Sequence, residues 1–284
     1  MTSPLFVSPA WLHDHLASPS IRILDARMLP PGYQGPRNLQ AEYLAGHLPG
    51  AVHFDIEALS DSDTPLPHML TPPDVFARAM AAAGIGSDQH LIIYDEGTLF
   101  SAPRAWWMLH VAAGVANVSL LSGGLDGWRR AGLPLAQGPV DVAPQIFASR
   151  PAAGRVKTLA DIRQILVDHS AQLIDARPAN RFSGQAPEPR PGLHRGHIPG
   201  SVNVPWSEWV RDGQLKPKEE LITLVQDVGL DLKRPLVASC GSGVTAAVAI
   251  LGLTALGVDD AALYDGSWSE WGGRDDVPID LPAA

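Results

Sequence analysis

Cys240 is the only cysteine in the chain, and the residues around it, Leu236-Val-Ala-Ser-Cys-Gly-Ser-Gly-Val-Thr245, are spaced for nucleophilic chemistry. A short apolar run reads as a buried strand that ends at Cys240. A loop of small residues follows, and then an apolar stretch, Val244 to Val258, long enough for a core helix. Strand, tight loop and helix together aim several backbone N–H groups at one point, with the positive end of a helix dipole behind them. A sulfur anion held there is stabilised and nucleophilic at neutral pH. Most free cysteines are simply small buried hydrophobes. The Gly-Ser-Gly flank argues against that reading, because an inert core thiol needs no loop stripped of side chains.

The elements that must position this loop show in the rest of the chain. At 284 residues the length suits two domains, and 45% hydrophobic with 18% charged residues is a globular composition. A net charge of −9 disfavours nucleic acid or an acidic membrane as partner, since both reward basic surface. A lone cysteine forms no internal disulfide, and no zinc-type cluster is present in the sequence. There is no secretory signal pattern, and Val244 to Val258 is too short and Gly-broken to span a bilayer. These features lead us to expect a soluble, cytoplasmic protein.

The chain repeats itself. Ile23-Leu-Asp25-Ala-Arg27 returns as Leu173-Ile-Asp175-Ala-Arg177, and Gly46-His47-Leu-Pro49-Gly50 as Gly196-His197-Ile-Pro199-Gly200, both at an offset of 150 residues. Leu91-Ile-Ile-Tyr-Asp95 aligns with Leu236-Val-Ala-Ser-Cys240, so Asp95 takes the cysteine's place in the first copy. Ser122-Gly-Gly-Leu-Asp-Gly-Trp128 answers Asp265-Gly-Ser-Trp-Ser-Glu-Trp271. The domains are expected at 1–137 and 155–284, joined by a Pro/Gly-containing linker at 138–154. In each copy an opening helix (Pro9 to Ala17; Leu159 to Asp168) leads to a strand ending in Asp-Ala-Arg. A long loop then reaches Gly-His-x-Pro-Gly and a short strand (Ala51 to Phe54; Ser201 to Val204). A helix (Asp74 to Ala83; Lys218 to Val228) precedes the strand before Asp95 or Cys240. Another helix (Ala102 to Ala113; Val244 to Leu256) and a last strand (Val118 to Leu121; Ala262 to Tyr264) follow. Short buried strands alternating with helices predict an α/β fold, two tandem domains each with a mainly parallel sheet flanked by helices. Chemistry in such sheets sits beyond the carboxyl ends of the strands, where Cys240 and Asp95 both fall. One copy therefore reads as catalytic and the other as non-catalytic.

The duplicated Asp-Ala-Arg and Gly-His-x-Pro-Gly motifs, with the terminal Asp265-Gly-Ser-Trp-Ser-Glu-Trp271, resemble tandem-domain rhodaneses over nearly the whole chain. The loop Cys240-Gly-Ser-Gly-Val-Thr245 resembles that of the branch known as 3-mercaptopyruvate sulfurtransferases. The resemblance implies a sulfurtransferase: Cys240 takes sulfur from 3-mercaptopyruvate, becomes a persulfide, and passes the outer sulfur to thioredoxin, a small thiol or cyanide. No cofactor is implied beyond this covalent intermediate. Gly241, Ser242, Gly243, Val244 and Thr245 would cradle the persulfide with their N–H groups. The thiosulfate-using branch carries basic side chains just after its cysteine, whereas Gly241 and Ser242 are neutral, which favours a singly charged organic donor.

Within Arg181-Phe-Ser-Gly-Gln-Ala-Pro-Glu188-Pro-Arg190, the resemblance assigns Arg181 and Arg190 to the substrate. A guanidinium fork suits a carboxylate; on residue type alone both arginines read as solvated or paired with Glu188, and the resemblance turns the reading to substrate binding. It also sets His68, in a loop of the first copy, opposite Ser242, with Glu57 as acidic partner in a proton relay to the departing enolpyruvate. Asp55 competes with Glu57, and a helix-capping or surface role is the alternative for His68. His47 and His197 precede Pro-Gly and read as turn-fixing residues; Asp175 and Arg177 read as a structural ion pair. Trp106, Trp107, Trp268 and Trp271 read as packing residues of the helices and domain interface. A phosphatase-like cysteine loop would need an arginine where Ala246 stands. A thiosulfate:cyanide sulfurtransferase, and a persulfide carrier or scaffold without turnover, are the competing readings.

Overall fold

A computed structural model describes residues 3–281. The chain forms two compact units. One comprises the described residues up to Asp61 with Leu70–Ala152 and Asp212–Gln214; the other comprises Ser62–Met69, Ala153–Arg211 and the described residues from Leu215 onward.

In the first unit the strands β1 (Phe6–Val7), β2 (Ile21–Asp25), β3 (Val52–His53), β4 (His90–Tyr94) and β5 (Val118–Leu121) form one parallel sheet in the order β1-β5-β4-β2-β3. In the second unit β6 (Val156–Lys157), β7 (Gln172–Asp175), β8 (Val202–Asn203), β11 (Leu236–Ser239) and β12 (Ala262–Tyr264) repeat that order as β6-β12-β11-β7-β8, again all parallel. A small hairpin, β9 (Val210–Arg211) and β10 (Gln214–Leu215), stands apart. Every residue of β11 is buried, as its unbroken apolar character requires of a strand covered on both faces.

The helices are α1 (Pro9–Asp14), α2 (Leu39–Ala45), α3 (Pro73–Ala82), α4 (Ala102–Trp106), α5 (Gly124–Arg130), α6 (Leu159–Asp168), α7 (Ala179–Phe182), α8 (Lys218–Asp227), α9 (Ala246–Ala255) and α10 (Ser267–Trp271). Local chemistry starts several of them. Ser8 accepts a hydrogen bond from the Trp11 N–H, and Thr158 with Asp161 forms a reciprocal capping box at α6. The apolar stretch after Cys240 becomes α9, buried from Ala246 through Leu253, so it packs on all sides. No helix of the described residues is long and apolar enough to cross a membrane.

The repeated motifs have one physical explanation. Arg27 binds both carboxylate oxygens of Asp25 and donates to the carbonyl of Gly46; Arg177 does the same with Asp175 and the carbonyl of Gly196. A fully buried ion pair thus ties the end of β2, or β7, to the turn that starts the next short strand. His47 lies against the carbonyls of Leu48 and Gly138, and His197 against that of Phe182, which makes both turn-fixing residues. Gly196 has φ +115°, and a Cβ there would meet the Asp280 carbonyl oxygen at 2.5 Å, so this position accepts only glycine. Trp106, Trp107, Trp268 and Trp271 are all buried.

Three features depart from the sequence reading. The loop before Gly46 contains α2, capped by Asn38, whose side chain accepts from the Ala41 N–H; only Tyr43 of this helix is buried, so its apolar stripe was too thin to see. The helix expected at Ala102 to Ala113 is α-helical only to Trp106 and then continues as a π-helical turn, Trp107–Ala112, where the Ala113 N–H reaches back to Met108. Residues 138–154 contain backbone fixed to the first unit: Gln145 donates to Ala81 and Arg150 to Ala113, and Phe147 is buried.

Gly252 on α9 faces the ring of buried Trp209, where a Cβ would sit 2.2 Å from the indole. Gly252→Ala should destabilise the second unit by about 1–3 kcal/mol despite the better helix propensity of alanine. The measurement is the denaturant midpoint, and no loss of stability would show that the indole has room to move.

Candidate active site

Cys240 follows β11 directly. Its N–H donates to Ser267 Oγ (3.2 Å), and its carbonyl accepts from the Trp268 N–H (2.9 Å). Ser267 in turn donates to the Tyr264 carbonyl, so the residue is clamped at both backbone groups by the start of α10. Cys240 is buried, and it is a free thiol. The loop turns at Gly243, where φ is +79°, and delivers the chain into α9. Among the described residues, the N–H groups of Gly241, Ser242, Val244 and Thr245 donate to no acceptor in the chain. They gather at the carboxyl end of β11 and the amino end of α9, the two features that favour an anion.

The first unit supplies an internal comparison. Asp95 follows β4 as Cys240 follows β11. Its Oδ1 accepts from the Gly97 N–H (2.8 Å), and its Oδ2 accepts from the N–H groups of Ser101 (3.1 Å) and Ala102 (3.2 Å). The equivalent loop is filled by a carboxylate of its own. One copy of the fold thus satisfies its loop amides internally, and in the other the N–H groups of Gly241, Ser242, Val244 and Thr245 have no acceptor among the described residues.

His68 lies within the second compact unit, although its sequence position falls in the first copy. Its Nδ1 is 2.8 Å from Ser242 Oγ, and both side chains are buried. His68 has φ +61°, a left-handed conformation that few residues other than glycine adopt, and one met at sites where geometry is imposed. Ser242 and His68, singled out on the sequence, are therefore in contact. Glu57 is exposed in the turn after β3, in the first unit; Asp55 accepts from the Ala58 N–H and serves as a turn cap.

Arg181, at α7, donates through Nε (3.0 Å) and Nη2 to Glu188, so the pairing weighed on the sequence is present. The same Nη2 lies against the loop: a Cβ built on Gly241 would be 3.1 Å from it. A side chain at 241 would push the guanidinium back by a few tenths of an ångström. Arg190 is partly buried in the same segment and has an interaction partner of its own. Arg177 is stacked over Trp268, 4.2 Å from the ring centroid, and reaches Glu188 Oε1 through Nη1 (2.8 Å). Burial disfavours the Arg177 cation, but Asp175 and Glu188 outweigh it and raise the guanidinium above its ordinary value.

Ser267, the clamp on the Cys240 N–H, was missed on the sequence, and Glu188 was weighed there only as a partner of Arg181 and Arg190, not as the bridge from Arg177 to Arg181. A signal was available for Glu188. At the offset of 150, Asp175 and Arg177 recur as Asp25 and Arg27, whereas Arg181, Glu188 and Arg190 fall opposite Pro31, Asn38 and Gln40. Residues of structure repeat, and residues of the site diverge. Among the described residues no group of three or more His, Cys, Asp or Glu is placed to hold a metal. Two cavities, about 570 and 420 Å3, lie at the amino ends of the strands, beside Ile21 and Ile23 in one unit and Ala171 and Leu173 in the other.

The rhodanese-like domain family matches residues 8–131 and again residues 158–274. The chain is 52% identical over 280 residues, 99% of both chains, to the 3-mercaptopyruvate sulfurtransferase of Escherichia coli K12. It is 40% identical to mouse thiosulfate sulfurtransferase over 273 residues, 93% of this chain and 91% of the relative. A crystal structure of the E. coli 3-mercaptopyruvate enzyme superposes with a TM-score of 0.86 at 50% identity, covering 94% of this chain and 99% of that one.

Asp95→Ala removes a carboxylate that satisfies three buried-loop N–H groups. It should destabilise the first unit by about 1–3 kcal/mol, and an added inorganic anion should restore part of the loss by occupying the same amides. Thermal unfolding with and without sulfate reads both effects.

Proposed function

The chain belongs to the rhodanese-like family in both of its halves, and from that premise we propose that it is a 3-mercaptopyruvate sulfurtransferase working through a persulfide on Cys240. The observation that carries this reading is the contrast between the two loops: amides of the first bind the Asp95 carboxylate, whereas beside Cys240 the N–H groups of Gly241, Ser242, Val244 and Thr245 have no acceptor among the described residues.

In the first half-reaction the Cys240 thiolate attacks the sulfur of 3-mercaptopyruvate. The new S–S bond forms as the C–S bond breaks, and the electron pair stays on carbon as the enolate of pyruvate. The proton of the donor thiol ends on that carbon, leaving pyruvate and a persulfide anion. The loop amides of Gly241, Ser242, Gly243, Val244 and Thr245 stabilise this anion as it forms. Ser242, hydrogen-bonded to His68, stands where a proton can be relayed to the enolate. Glu57 is assigned to that relay by family resemblance alone. In the second half-reaction an acceptor nucleophile attacks the outer sulfur, the S–S bond breaks and the thiolate returns. Thioredoxin, a small thiol or cyanide are the acceptors of this proposal, and a cytoplasmic location goes with the same reading.

The donor follows from charge. Gly241 and Ser242 add no cation beside Cys240, and the Arg181 guanidinium is already engaged by Glu188. A site of this kind suits one carboxylate better than a compact dianion, which favours 3-mercaptopyruvate over thiosulfate.

Exposure to 3-mercaptopyruvate without acceptor should add one sulfur atom to Cys240, visible by mass spectrometry, and Cys240→Ser should abolish both the adduct and pyruvate release. Turnover without any sulfur adduct would remove the persulfide from the scheme. Ser242→Ala should lower kcat by about a hundredfold with a smaller change in KM, as expected for loss of a proton-transfer group. Full turnover of that variant in a steady-state assay would end the relay.

A further inference from the structure

Glu188 is a buried anion at the centre of a charge network beside the loop that carries the cysteine. Its side chain is 2% exposed, and it bridges Arg177, itself locked to Asp175, and Arg181, which is 19% exposed. The first copy has the same Asp-Ala-Arg pair but Asn38 in the place of Glu188 and Pro31 in the place of Arg181; its further ion pairs, Arg37 with Glu42 and Glu96, are about one-third exposed. The fold does not need the extension through Glu188. It is present where a donor must be bound.

We propose that Glu188 is a positioning and specificity residue for the sulfur donor, an inference that rests on the reading of the chain as a 3-mercaptopyruvate sulfurtransferase. Two consequences of its geometry support this. First, Glu188 takes the Nε–H edge of Arg181, side-on, through Nε and Nη2. A guanidinium has five N–H donors in a fixed plane, so what remains is the end formed by Nη1 and the second hydrogen of Nη2. Nη2 is the atom set against Gly241. Glu188 therefore holds Arg181 so that it presents an end-on fork beside the cysteine loop, the shape that pairs with a planar carboxylate. Second, the four groups Asp175, Arg177, Glu188 and Arg181 sum to zero charge. Arg181 thus supplies directed N–H groups with little surplus positive field. A monoanion bound by directed hydrogen bonds loses little from this neutrality. A dianion, whose binding depends on net field, loses twice as much Coulomb energy per missing charge. Glu188 thereby selects singly charged donors, and it does so from behind Arg181, without touching the donor itself.

The test uses the whole chain with Glu188→Gln and Glu188→Asp, assayed with 3-mercaptopyruvate and with thiosulfate. Glu188→Gln keeps size but removes the charge. It should raise KM for 3-mercaptopyruvate several-fold with kcat nearly unchanged, and raise the ratio of thiosulfate to 3-mercaptopyruvate kcat/KM by about tenfold, the effect of one added positive charge a few ångströms from the donor. Glu188→Asp keeps the charge and shortens the reach, so it should raise KM while retaining the wild-type donor preference. Alkylation of Cys240 by iodoacetamide, with pyruvate or sulfate as protecting anion, reads occupancy of the site without turnover. In Glu188→Gln protection by pyruvate should weaken and protection by sulfate strengthen. An equal fall in both donors, carried by kcat, or protection constants that shift together or not at all, would reduce Glu188 to a structural residue. A change of donor preference in Glu188→Asp matching that in Glu188→Gln would overturn the charge argument as well. Should Glu188→Gln fail to fold, the KM-against-kcat split of Glu188→Asp decides the positioning role. A wild-type chain that releases no pyruvate from 3-mercaptopyruvate would instead remove the activity reading, and the protection constants would still decide the role of Glu188.

Discussion

A parallel strand that ends against the amino terminus of a helix leaves a set of backbone N–H groups converging on one point, and that set needs an anion. The rest of this structure follows from how the two copies of the fold meet the requirement. In the first, Asp95 folds back and accepts three of the N–H groups itself. In the second, Cys240 stands at the strand end with uncommitted amides around it. A carboxylate and the persulfide anion proposed for Cys240 are both negative, but the carboxylate is fixed and the proposed persulfide is one that turns over. The first copy therefore shows an anion held by such a loop, and the proposed reaction has the second bring and surrender one on its cysteine.

Holding that loop in place falls to buried charge. The Asp175–Arg177 pair is almost wholly shielded from water, and such pairs seldom add much net stability, because desolvation offsets their attraction. Their value here is geometric. Arg177 ties the end of β7 to the Gly196 turn, stacks over Trp268 of α10, and reaches Glu188. The N–H of Trp268 in turn holds the carbonyl of Cys240. One guanidinium thus links the sheet, the helix that clamps the cysteine and the segment that carries Arg181. The duplicated Arg27 does the first of these jobs without the last.

Much of this architecture was legible in the residues. The two copies, the parallel sheets and the order of strands and helices follow from motifs at a constant offset and from apolar runs such as Leu91 to Tyr94. The edge strands Phe6–Val7 and Val156–Lys157 did not show, because two residues leave no period to read. The helix at Leu39–Ala45 was hidden by its exposure, and the π-helical turn after Trp106 depends on backbone bonds that no side-chain pattern encodes. In the site, the contact between His68 and Ser242 joins residues 174 positions apart and was available only through family resemblance. Glu188 was visible as a competing partner for the arginines, and its pairing with Arg181 is real. What the sequence could not show is that this pairing and closeness to Gly241 hold at once, since both depend on which edge of the guanidinium faces which neighbour.

That coexistence bears on how a duplicated fold acquires a function. Positions that carry the fold are constrained in both copies, which is why Asp-Ala-Arg and Gly-His-x-Pro-Gly survive twice over. Positions proposed to carry chemistry differ between the two, and the copy whose loop is filled by Asp95 shows Pro31 and Asn38 where the other has Arg181 and Glu188. Comparison of the two halves of one chain then separates scaffold from site without any other protein. The proposed chemistry then falls on residues that extend a buried charge pair outward until its last member, Arg181, lies against the cysteine loop.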